Sequence, residues 1–99
     1  SSSLWERRVA IVSTLFFIRK KQSEKTLAIA QVLLHDKHDL IHKAVGWMLR
    51  EVGKYCSEDV LEAFLQENAR YQTMPRTMLR YAIERLSPAR RQAYLKGKI

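Results

Sequence analysis

The segment DKHDLIHKAVGWMLREVGK, residues 36–54, decides how the rest of the chain folds. At helical spacing its Leu40, Ile41, Ala44, Val45, Met48, Leu49 and Val52 form one apolar stripe, which predicts a helix buried along one side. Asp39 is the expected cap, and the helix is expected to end near Gly53. Lys43, Arg50 and Lys54 make a second, cationic stripe, with Trp47 at the seam one turn from Lys43 and from Arg50. Gly46 stands in mid-helix, where glycine costs about 1 kcal/mol relative to alanine. Such a cost is best tolerated where a neighbouring backbone comes close. The indole has two readings: a partly buried core side chain, or an aromatic face presented at a cationic edge to a nucleobase or cation.

Upstream, Ser3 followed by Glu6 reads as a capping box opening a helix at Leu4. That helix is expected to run to Arg19 and close in the cations Arg19, Lys20 and Lys21. Ser1 and Ser2 read as a frayed end. Ser23 is the expected cap of a second helix, Glu24 to His35, apolar over a wide arc through Leu27, Ile29, Ala30, Val32, Leu33 and Leu34. Downstream, Ser57 caps a fourth helix with Glu58 and Asp59 in its first turn and Val60, Leu61, Phe64 and Leu65 on its buried side. Pro75 opens a fifth helix to about Leu86, and Ser87 with Pro88 opens a short sixth.

Six helices, without sustained period-two alternation, make the chain all-α. An internal repeat adds to this: Ala10, Gly46 and Ala82 are small residues spaced 36 apart twice over. They are preceded by Val9, Val45 and Tyr81 and followed by Ile11, Trp47 and Ile83. A helix pair returning at that period suggests a solenoid of stacked antiparallel pairs. In such a stack the first, third and fifth helices lie side by side, and their shared surface is the expected functional face.

The 99 residues are one domain or part of one, with 46% apolar and 28% charged side chains, as in ordinary soluble proteins. The longest apolar patch, residues 9–18, is too short to span a bilayer. No signal peptide is discernible and the lone Cys56 has no partner for an internal disulfide, so a cytoplasmic, reducing location is expected. Charge is more informative. Lysine and arginine total 18 against 10 acids. Residues 70–99 hold 8 basic side chains and a single acid, Glu84, which is the footprint of a polyanion binder. An anionic membrane fits less well, because no segment pairs that charge with a broad apolar face.

Arg8 interrupts the apolar face formed by Leu4, Ile11, Val12 and Leu15. Its guanidinium must snorkel to water, pair with an acid such as Glu6 or Glu51, or line a groove and clamp phosphate oxygens. Arg80 holds the same repeat position as Arg8. His38 and His42 have a spacing that can chelate zinc, but they straddle a helix start with no cysteine near, so no metal site is expected. No cofactor is expected either: phosphate loop, nucleophile elbow and catalytic triad are all missing from the pattern.

The segments LWERRVAIVSTL, HDLIHKAVGWMLREVGK and MPRTMLRYAIER resemble the C-terminal half of the AlkD-type DNA alkylation repair glycosylases, over nearly the whole chain. The resemblance implies a HEAT-like solenoid that wraps duplex DNA on a basic face and excises cationic N3- and N7-alkylpurines in base excision repair, without flipping the base into a pocket. It places the family's groove arginine on Arg8, through WERR, and a cleft tryptophan on Trp47, through GW. Lys43, Arg50, Arg76 and Arg80 are the expected contacts to the DNA backbone. It also implies that the groove is lined by the second helix of each pair. The family's catalytic aspartate and another cleft tryptophan fall upstream of the match. Residues 1–99 are therefore expected to be a partial domain, its aspartate-bearing repeats missing, and inactive alone. Two other readings stay open: a non-catalytic nucleic-acid-binding module, and a protein-interaction scaffold.

Overall fold

A computed structural model describes residues 3–99, so the expected fraying of Ser1 and Ser2 lies outside the described residues. These residues fold as helices α1 (Leu4–Val12), α2 (Leu15–Ile18), α3 (Glu24–Leu33), α4 (Asp39–Tyr55) and α5 (Glu58–Gln66). A 3-10 turn (Glu67–Ala69) follows, then α6 (Arg70–Thr73), α7 (Arg76–Ala82) and α8 (Pro88–Leu95). No strand occurs among the described residues. The chain is all-α, a solenoid of stacked helix pairs.

The stack is centred on α4. Its Ile41, Val45, Met48, Leu49 and Val52 are fully buried. On one side α4 meets α1 and on the other α7, so the first, third and fifth expected helices do lie side by side. Helices α3 and α5 pack beneath them against α4. α8 is tied to α5 through Tyr94, whose hydroxyl donates to Glu62 Oε1 at 2.7 Å and accepts from Gln66 Nε2 at 3.0 Å.

Gly46 explains the closeness of α4 and α7. A Cβ there would stand 2.5 Å from Tyr81 Cβ and 2.6 Å from the Met78 carbonyl oxygen. Real carbon contacts rest at about 3.5–4.0 Å, so only glycine admits this crossing.

Three serine caps form as expected. The Ser3 and Glu6 side chains cap one another's backbone N–H groups at 3.1 and 3.0 Å. Ser57 accepts from Asp59 and Val60, and Ser87 from Arg90 with Pro88 following. Elsewhere the boundaries differ. The expected helix from Leu4 to Arg19 breaks at Ser13 and Thr14, whose hydroxyls donate to the carbonyls of Ala10 (3.0 Å) and Ile11 (2.6 Å) and compete with the helical ladder. Ser23 makes no side-chain cap, and α3 stops at Leu33. Asp39 is the first residue of α4 and His38 its cap position; Asp36 organises this turn, accepting from the His38 N–H at 2.9 Å. Pro75 occupies the cap position of α7, which ends at Ala82 rather than Leu86. The 3-10 turn and α6 were not expected. They form where Asn68 and Ala69 both adopt positive φ and the buried Arg70 donates to the Phe64 carbonyl at 2.8 Å.

Candidate functional site

Because α1, α4 and α7 run side by side, side chains from all three meet in one depression of about 300 Å³. Arg8 comes from α1; Leu40, Lys43, Ala44, Trp47 and Arg50 come from α4; Tyr81 comes from α7. Leu40 was counted with the core stripe but is 48% exposed and faces this depression instead. Trp47 is half-buried: it packs against the core while also lining the opening, so both readings of the indole hold in part. Tyr81 is seated beside it by the glycine crossing.

The electrostatics are uneven along the groove. Arg8 is exposed and makes no hydrogen bond or ion pair with the described residues. Its two candidate partners are engaged elsewhere, Glu6 in the Ser3 cap and Glu51 with Arg50. Lys43 Nζ lies 3.3 Å from Asp39 Oδ2, and both side chains are about half in solvent, so the pair holds the lysine weakly. Arg50 is more constrained: its Nε lies 3.5 Å from Glu51 Oε2, and its Nη1 donates to Glu84 Oε1 just beyond α7. Past Arg50 a second depression, of about 620 Å³, continues with Glu51, Lys54, Glu84 and Arg85. Cations therefore recur along the α4 edge from Arg8 to Arg85.

Of the six residues singled out in the sequence, Arg8, Lys43, Trp47 and Arg50 converge here. Arg80 is exposed on α7 and unpaired among the described residues, but does not line the depression. Arg76 borders a different hollow and donates through Nη2 to the Leu95 carbonyl at 2.7 Å, tying α8 to α7. Sequence reasoning missed Tyr81, Arg85 and the role of Glu84. For Tyr81 the repeat gave no signal, since its equivalents Val9 and Val45 do not line the depression; for Arg85 only its charge spoke.

A larger depression, about 740 Å³, opens between α1 and α3 around Ala10, Ile29 and Val32, with the Arg7–Asp36 pair (2.7 Å) at its edge. Val32, on the wide apolar arc of α3, is 81% exposed there. His42 Nε2 is hydrogen-bonded to the Asp36 carbonyl, and no metal-binding group of three or more His, Cys, Asp or Glu occurs among the described residues. Burial, followed by the Glu24 carboxylate, pushes the Cys56 thiol up and disfavours its thiolate. No described helix is long and apolar enough to cross a membrane.

An all-helical stack whose groove is walled by an indole, a phenol and three cations defines a helical solenoid with a cationic face. More particularly, a family model described as DNA alkylation repair enzyme matches residues 1–86, and the chain belongs to that family. The match contains every residue lining the groove and assigns the chain a role in DNA alkylation repair. No curated protein and no solved structure matched the chain.

Proposed function

We propose that the groove binds duplex DNA and serves the glycosylase step that removes cationic N3- and N7-alkylpurines. One observation carries the reading: a guanidinium, Arg8, unpaired among the described residues, and a half-exposed indole, Trp47, line the same depression from helices one repeat apart. Arg8, Lys43 and Arg50 contact backbone phosphates, and Arg80 reaches a further one outside the groove. Trp47 and Tyr81 offer electron-rich surface to a purine that carries positive charge. Such a base is already a good leaving group and needs no strong general acid. What remains is to stabilise the developing oxocarbenium sugar, which suits a carboxylate. The carboxylates paired with groove cations, Asp39, Glu51 and Glu84, are all engaged, Asp39 by Lys43 and the two glutamates by Arg50. On this reading the catalytic aspartate lies on another repeat, outside these 99 residues.

Incubating the purified chain with duplex DNA containing 7-methylguanine tests this. The expected result is binding at low salt without release of the base. Multiple-turnover release by the chain alone would overturn the placing of the catalytic carboxylate. Absence of binding would favour the protein-interaction reading, whose own support is the exposed Val32 in the α1–α3 depression.

A further inference from the structure

We infer that Glu84 is a built-in counter-ion of the groove, which a DNA phosphate must displace from Arg50, and that it thereby sets the affinity for duplex DNA. The inference rests on the DNA-binding reading above. Glu84 is the only acid in residues 70–99, and it stands at the turn after α7, directed at a groove cation. The two carboxylates on Arg50 differ in kind. Glu51 is 13% exposed, follows Arg50 on the same helix and faces its Nε, so it orients the guanidinium from within. Glu84 is 62% exposed and takes Nη1. A phosphate would use that same donor, because guanidinium forks suit carboxylate and phosphate oxygens alike.

The surroundings allow the exchange. The Glu84 backbone is held independently, its carbonyl accepting from Arg91 Nη1 at 3.1 Å, so the side chain can swing away without unravelling the turn. The charged groups facing it are Arg50, Lys54 and Arg85 against Glu51 and Glu84 itself. Three cations meet two carboxylates, and displacing Glu84 doubles the local excess of positive charge from one to two.

The test is a fluorescence-anisotropy titration of an unmodified DNA duplex at low and rising salt. It compares the unsubstituted chain with Glu84→Gln, Glu84→Ala, Arg50→Gln, the double Glu84→Gln/Arg50→Gln, and Glu58→Gln as a charge-matched change on α5. Exposed ion pairs contribute little, so Glu84→Gln and Glu84→Ala should each bind about 1.5- to 5-fold more tightly. The gain should shrink as salt rises, vanish in the Arg50→Gln background, and exceed that of Glu58→Gln. Unfolding midpoints of all variants confirm that folded protein is compared. Unchanged or weaker binding by both Glu84 variants overturns the inference, as does a gain that persists without Arg50 or is matched by Glu58→Gln. If the unsubstituted chain fails to bind duplex DNA, the DNA-binding reading itself falls. If it binds and only the Glu84 variants disappoint, the counter-ion role alone is lost.

Discussion

Replacing Gly46 by alanine would put a methyl group 2.5 Å from Tyr81 Cβ and 2.6 Å from the Met78 carbonyl oxygen. Both atoms are fixed to the backbone of α7, so no rotamer change relieves the clash. Carbon atoms rest about 3.5–4.0 Å apart, which requires α7 to retreat by about 1 Å. Overpacking of this kind costs about 1–3 kcal/mol, against which alanine returns about 1 kcal/mol of helix propensity. With two backbone-fixed atoms in the way, the cost belongs in the upper half of that range, leaving a net loss of about 1–2 kcal/mol. In a domain of this size each kcal/mol shifts the melting point by about 4–8 °C, so Gly46→Ala should melt about 5–15 °C lower. Gly53→Ala is the internal control. Its new methyl would meet Leu61 Cδ2 at 2.9 Å, the far end of a rotatable side chain, so its stability should stay within about 1 kcal/mol. Thermal melts of both variants, followed by circular dichroism, make the comparison. Because the retreat carries Tyr81 away from Trp47, Gly46→Ala should also bind duplex DNA more weakly per folded molecule. A melting point equal to or above that of the unsubstituted chain, or equal losses for the two glycines, would refute the close-crossing argument.

Trp47→Ala should cost clearly less than the about 3–5 kcal/mol of a fully buried aromatic truncation, because one side of the indole faces the groove, while DNA affinity falls. Arg8→Ala should change stability by no more than about 0.5 kcal/mol and also lower affinity. Urea unfolding beside DNA titration decides both, and large stability losses with unchanged affinity would return the two residues to purely structural roles. Burial pushes the Tyr94 phenol up to about 12, above the ordinary value near 10 that it regains on unfolding. The neutral phenol is therefore favoured by the fold, and its contribution is whole below pH about 10 and lost as pH rises through about 12. Tyr94→Phe should remove that component from the alkaline stability profile; parallel profiles for the two proteins would contradict it.

Much of the architecture could be read from residues, because the signals were local. The stripe of α4, the Ser3, Ser57 and Ser87 caps and the spacing of Ala10, Gly46 and Ala82 each act within a few residues or one repeat. The break at Ser13 and Thr14 was hidden by competition between hydroxyls and amides for the same carbonyls. Paired positive-φ residues at Asn68 and Ala69 carry no glycine to announce them. The charge count misled in a more instructive way. Of the 8 basic residues in 70–99, Arg70, Arg76, Arg90 and Arg91 bond to the protein's own carbonyls or carboxylates. The groove cations instead come mainly from α4, and only tertiary contacts reveal which positive charges are left for a partner.

That distinction is what the central claim depends on, and the salt dependence of duplex binding measures it directly. Three to five phosphate contacts give a slope of log affinity against log salt of about −3 to −4.5. The decisive comparison is the double variant Arg8→Gln/Lys43→Gln in the groove against Lys96→Gln/Lys98→Gln at the exposed C-terminal end, which removes the same charge. If the groove holds the DNA, the first pair should flatten the slope by about 2 and the second should leave it almost unchanged. Equal flattening by both pairs, or a loss confined to Lys96 and Lys98, would show that the basic end rather than the Arg8–Trp47 groove carries the binding.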